Sequence, residues 1–335
     1  MRLVFGLCFV TITIFAQSVK IKSVLSELPT SIRGLSVVDD KVAWFSGSKG
    51  MVGKTTDGGK TWKYNQLKNY EAKDFRSLYA FDSLTAIIAC VGSPAVVLKT
   101  ADGGKNWRVV YQNSHPDIFI DGIDFWDNTS GMIYGDPIEG ALFLLKSDDG
   151  GNTWTELKQD QRPMLDKNEA SFAASGTGIR CFGKDKVVLA TGGLVSKLLI
   201  SNDRGYHWQS ASPPILQGKS STGIFSVGIH KKAWIVVGGD FSADSISTSN
   251  AFYSSDNAKS WMPPVNSTRG YRSSVEFISE NKWLAVGQGG VDISIDNGKT
   301  WQPFSNEKGL HVVRKSRKGN LIIAAGSGRV VLIQP

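Results

Sequence analysis

An eight-residue phrase recurs six times along this chain, and it constrains the fold more than any other feature. Its last copy, residues 294–301, reads Ser-Ile-Asp-Asn-Gly-Lys-Thr-Trp. The others occupy 55–62, 100–107, 147–154, 201–208 and 254–261. Each copy opens on Ser or Thr, has Asp third and closes on Trp, and five of the six have Gly fifth, Ala258 being the exception. The closing tryptophans lie 45, 47, 54, 53 and 40 residues apart. Self-similarity at that period marks a repeat architecture in which neighbouring units bury each other's apolar faces.

The residues of the phrase suit a tight hairpin. Asp in a turn accepts hydrogen bonds from backbone N–H groups two residues on. Gly takes the positive φ that a Cβ opposes. Trp buries a large ring and is expected to satisfy its indole N–H. Each copy therefore reads as strand, turn, strand. Around it lie three further apolar or alternating segments; in the first repeat the four segments are 32–38, 42–47, 51–55 and 61–67. Many short strands at even spacing with Gly and Asp turns predict an antiparallel all-β fold. Four strands per repeat of this length predict β-propeller blades.

Boxed repeats cover 32–67, 75–113, 119–158, 177–211, 222–265 and 272–306. A seventh, unboxed repeat follows with three strands, at 310–315, 320–325 and 329–333. The apolar stretch 19–28 lacks a repeat of its own. Pairing it with the last three strands completes a seventh blade, ties the chain's ends together and removes open sheet edges. The expected fold is a single seven-bladed propeller over 17–335, closed by its N-terminal strand.

The eight-residue phrase resembles the Asp-box, or BNR repeat, found in sialidases, sortilin-type receptors, xyloglucanases and the photosystem II stability/assembly-factor-like propellers. The resemblance runs from about residue 32 to the end and implies a propeller. In those families the box lies on the blade rim, away from the binding face. Asp57, Trp62, Asp102, Trp107, Asp149, Trp154, Asp203, Trp208, Asp256, Trp261, Asp296 and Trp301 are accordingly structural residues. No calcium role follows, because Asp-x-Gly alone lacks the ligands an oxygen-seeking cation requires.

Residues 1–16 read as a signal peptide. Arg2 precedes an apolar run from Leu3 to Phe15 and a small residue, Ala16. The run is shorter than a spanning helix needs, and no later stretch is long enough. A secreted or periplasmic protein without a membrane span is expected. Cys90 and Cys181 then remain, in different repeats, and are expected as separate packing thiols rather than a bridge. Loss of Arg2 leaves 37 Lys and Arg against 30 Asp and Glu, net +7. The densest basic block, residues 314–318, reads as a solvated turn, so nucleic acid is not an expected partner. A moderately anionic partner is.

Propeller geometry sorts residues by face. First strands line the central channel. Loops from fourth strand to next first strand share a face with the loops between second and third strands, and the boxes sit on the other. Two loops on the first face, 159–176 and 238–250, are unusually long, which often signals function. Arg33, Arg76, Arg180 and Arg272 hold nearly equivalent first-strand positions, with Arg314 as a candidate fifth shifted by two and Asp121 in the matching place of the third repeat. Guanidinium groups aimed at one region favour carboxylate or phosphate. An arginine-rich patch is also a feature of the photosystem assembly-factor propellers. The expected function is a non-catalytic scaffold or assembly factor, monomeric, binding a protein or anionic ligand on this face. The competing reading is an extracellular glycosidase, sialidase-like, acting on glycans with Asp136, Glu139 or Asp240 as its carboxylates. The four histidines are scattered, and neither a metal cluster nor a cofactor motif emerges.

Overall fold

The computed structural model describes residues 20–334; the expected signal peptide, 1–16, lies outside them. Seven antiparallel sheets follow one another around a ring. Blade one is built from Ile32–Val37, Ala43–Gly47, Met51–Thr55 and Lys63–Gln66. Blades two, three, four and six repeat this four-strand plan. Blade seven takes Leu310–Lys315, Ile322–Gly326 and Arg329–Gln334 from the C-terminal end and its outer strand, Lys20–Leu25, from the N-terminal end. That closing strand pairs antiparallel with the last one, Ile21 opposite Ile333.

The ring is held by apolar clusters between blades. Trp44 and Val52 of blade one meet Leu78 and Ile88 of blade two. Ile87 and Val97 of blade two meet Ile133 and Phe143 of blade three. The same exchange recurs around the circle to the cluster joining Val330 of blade seven to Phe45 of blade one. The inner three strands bury both faces and read as near-continuous apolar runs. The outermost strand does not: all four residues of Lys63–Gln66 are exposed.

Blade five departs from the plan. Its strands Thr222–His230, Ala233–Asp240 and Ala251–Ser254 are regular. Its expected fourth strand shrinks to one bridge, Tyr253 opposite Met262. Met262 is followed by Pro263 and Pro264, which have no N–H to extend a ladder. On its inner side the same sheet gains two short strands, Gly192–Gly193 and Glu169–Ala170, drawn from loops of neighbouring repeats.

The six boxes form one hydrogen-bonded turn. In the first, the Asp57 carboxylate accepts from the Thr55 hydroxyl (2.8 Å), the Thr61 N–H (2.9 Å) and the Thr61 hydroxyl (2.6 Å). The backbone donors lie three and four residues on, not two as expected. The Thr61 hydroxyl and amide hold Asp57 down at about 2, and equivalent donors from Asn106 and Ser260 do the same for Asp102 and Asp256. The fifth position has positive φ throughout, including Ala258 at 64°. At Gly151 a Cβ would also lie 2.2 Å from Ile87 of the preceding blade. One expectation fails: only the Trp208 indole N–H finds an acceptor, Gly205 O, while those of Trp62, Trp107, Trp154, Trp261 and Trp301 have none among the described residues.

Cys90 and Cys181 are both free thiols.

Candidate functional site at the loop mouth of the channel

Four first strands carry a β-bulge near the loop face. Pairing slips between Ile32 and Gly34, Ile120 and Gly122, Ile224 and Ser226, and Leu310 and Val312. The extra residues are Arg33, Asp121, Phe225 and His311. A bulged residue leaves the ladder and its side chain is re-aimed. Here Arg33, Phe225 and His311 turn into the channel mouth, a cavity of about 210 Å³ that Arg76, Phe172, Phe241 and Tyr271 also line.

The walls are aromatic. Phe172 stacks flat on Phe225 with centroids 3.8 Å apart, and Tyr271 meets Phe225 edge-on at 4.7 Å. Phe241 stands edge-on to both and remains half exposed. The charge is positive. Arg76 pairs with Asp74 at 2.7 Å. Arg33 donates to the Ala174 carbonyl at 2.9 Å and has no carboxylate partner among the described residues. Burial, then the neighbouring Arg76, pushes the Arg33 pKa down. His311 registers the same field: burial, then Arg33 and Arg76, push its pKa down to about 3, so its imidazole is neutral at physiological pH.

Behind the mouth the channel is crossed by residues 171–177, the end of the long loop 159–176. Residues 173–177 are buried. Arg33 holds the Ala174 carbonyl, the Ser175 hydroxyl donates to Ser273 O (2.7 Å), the Thr177 hydroxyl bonds Ser226 Oγ (2.7 Å), and Arg314 donates to Gly176 O (3.0 Å). The segment is thus a plug gripped by blades one, five, six and seven.

Of the four arginines singled out by sequence, the structure brings together Arg33 and Arg76. Arg180 sits on an unbulged strand and its guanidinium reaches the opposite mouth, bonding Val227 O (2.7 Å) and Glu276 (3.0 Å). Arg272 is fully buried and committed to Asp292, with Nε at 2.9 Å and Nη2 at 2.5 Å. Arg314 is not the seventh-blade counterpart of Arg33; His311 is. The apolar frame shows why: Ile-Arg-Gly-Leu at 32–35, Ile-Asp-Gly-Ile at 120–123 and Leu-His-Val-Val at 310–313 share the bulge. Sequence reasoning matched arginine to arginine and so passed over His311, Phe225 and the plug aromatic Phe172.

The candidate carboxylates are dispersed. Asp136 accepts the Ser171 N–H at 2.8 Å and anchors the plug; burial lifts its pKa to about 6. Glu139 is exposed at a hairpin turn with φ 54°. Asp240, buried, accepts from the Ser242 amide and hydroxyl and pairs with Lys219 at 3.4 Å. None of the three lines the arginine mouth. Asp121 is buried behind it, and neither carboxylate oxygen has a partner among the described residues. Burial, then Asp136, pushes its pKa well above the usual carboxylate range, with Arg76 opposing.

Residues 16–117 match the family described as photosynthesis system II assembly factor YCF48. No curated protein matches the chain. Among solved structures, YCF48 bound to a D1 peptide superposes with a TM-score of 0.65 at 16% identity, over 96% of this chain and 97% of that one. YCF48 from Cyanidioschyzon merolae gives 0.62 at 18% identity, over 94% and 99%. The xyloglucanase from Xanthomonas campestris gives 0.63 at 12% identity, but this chain covers only 53% of it. Fold, closure and repeat together make the chain a seven-bladed propeller, similar in fold to YCF48.

Proposed function

We propose that the chain is an exported, non-catalytic binding propeller that captures a protein segment through an acidic group at the loop mouth. One observation carries this reading: Arg33 projects a half-buried guanidinium, without a carboxylate partner among the described residues, into an aromatic-walled cavity beside Arg76. A desolvated cation surrounded by aromatic surface favours a ligand that brings its own carboxylate and an apolar neighbour. The D1 peptide held by the YCF48 structure gives a precedent for protein binding on this fold. Export rests on the pattern of residues 1–16. Among the described residues no helix is long and apolar enough to cross a membrane.

The glycosidase reading has no geometric support at this mouth. Most glycosidases need two carboxylates facing each other across a sugar, and a sialidase-type tyrosine nucleophile needs a Glu partner; the lining holds Tyr271 but neither Asp nor Glu.

The test is charge reversal. Arg33→Glu combined with Arg76→Glu is expected to abolish capture of a protein partner from the native extracytoplasmic fraction, identified by mass spectrometry. The same double variant should lose binding to acidic peptides while amide-substituted versions bind neither form. Its melting temperature should stay within a few degrees of the parent. Undiminished capture by a folded double variant refutes the reading.

A further inference from the structure

The channel has a second mouth, on the face that carries the box turns, where Asp57 and its equivalents lie. It is a cavity of about 240 Å³ lined by the far ends of the first strands. The basic block 314–318 is a solvated turn only in its second half: Arg317 and Lys318 are exposed at the turn, whereas Arg314 and Lys315 end the first strand of blade seven. Arg314, Lys315 and Arg317 join Arg180 in lining this cavity.

Three of these cations are used between blades, but chiefly on neutral oxygens. Arg180 donates to Val227 O and Val275 O, and Arg314 to Gly176 O. Arg317 donates to Ser36 Oγ and Ala80 O, with its guanidinium 4.5 Å over the Tyr79 ring. A carbonyl satisfies a donor without cancelling its charge. The Lys315 ammonium has neither a hydrogen-bond nor an ion-pair partner among the described residues; only its backbone N–H is engaged, with Glu276.

The opposing charge is insufficient. Two carboxylates line the cavity, Asp124 and Glu276, against four cations. The excess is two positive charges when both acids are ionised. Asp124 is already occupied by the N–H groups of Cys181 (2.8 Å) and Phe125 (3.0 Å). Glu276 pairs with Arg180 at 3.0 Å and with Arg314 at 3.9 Å, one acid shared by two cations. Burial lifts the pKa of both acids. The remaining walls are flat and apolar, with Tyr79, Phe125, Phe182 and Phe277 among them. The volume is below the few hundred Å³ of a drug-sized pocket and suits a smaller molecule.

We propose that this second mouth binds a small, doubly charged oxyanion carried on a planar apolar body, of the phosphate-monoester class. Forked guanidinium donors and a free ammonium meet the oxygens, and the rings cover the body. The proposal is independent of the protein-binding mouth, because the plug lies between them.

Calorimetric titration of the full-length protein with phenyl phosphate, inorganic phosphate and phenol tests it. Phenyl phosphate is expected to bind saturably at one site, more tightly than inorganic phosphate, with phenol giving no saturable heat. Lys315→Gln, which removes the charge without removing a structural bond, is expected to weaken phenyl phosphate by about tenfold. Arg33→Gln, at the other mouth, should leave it unchanged. The proposal is overturned by phenyl phosphate that does not saturate, by phenol binding equally well, by an indifferent Lys315→Gln, or by loss of binding in Arg33→Gln.

Discussion

Arg272 and Arg33 start their blades in nearly the same way and face the same side of the ring, yet they have opposite surroundings. Arg272 lies in a closed ionic cage: Asp292 takes its Nε and Nη2, and Arg269 clamps the other oxygen of the same carboxylate at 2.7 Å. Arg33 lies against carbonyl and aromatic groups, with Arg76 rather than an acid beside it. The residue type is the same; the partner decides the role. A guanidinium whose carboxylate is supplied by its own blade holds the blade together. One whose carboxylate is missing is left for something else to complete.

Three substitutions press on that contrast. Arg272→Leu leaves Asp292 buried with half its partners, and breaking a buried pair of this kind costs about 3–5 kcal/mol; urea unfolding should show it as a large fall in midpoint. Asp121→Asn probes the opposite fault, an acid buried without a donor. The folded pKa of Asp121 is raised above its unfolded value, so its contribution is fully present below the unfolded pKa and is lost as pH rises. The stability of Asp121→Asn relative to the parent should therefore improve as pH rises from 4 to 8. A difference that stays flat with pH would mean that Asp121 is paired. Arg33→Met removes a desolvated charge along with one hydrogen bond, two effects of opposite sign. Its unfolding free energy should change by less than about 1 kcal/mol. If Arg33→Met proves as costly as Arg272→Leu, the contrast between them is void.

The fold was legible because its signal is redundant. Six copies of one turn, each ending on Trp, fix the blade period, and an orphan strand of residues at one end answers a three-strand remainder at the other. The site was legible only in part, and the reason is backbone register. Arg33, Asp121, Phe225 and His311 leave their ladders through a bulge, whereas Arg180 does not. A one-residue slip changes which way a side chain faces, so two arginines with similar flanks ended at opposite mouths. The frame of apolar residues around each bulge was present in the sequence and would have paired His311 with Arg33. Nothing local announces the plug: Ser-Phe-Ala-Ala-Ser-Gly-Thr at 171–177 is a bland string, and its place in the channel comes from contacts contributed by four distant blades. The truncated edge of blade five, in contrast, was written plainly in Pro263 and Pro264.

The grip on Ala174 and Gly176, from Arg33 on one side and Arg314 on the other, has a topological consequence. Arg33, at one mouth, and Arg314, at the other, hold carbonyls two positions apart in the same buried stretch. The molecule thus offers two back-to-back basins coupled through that stretch.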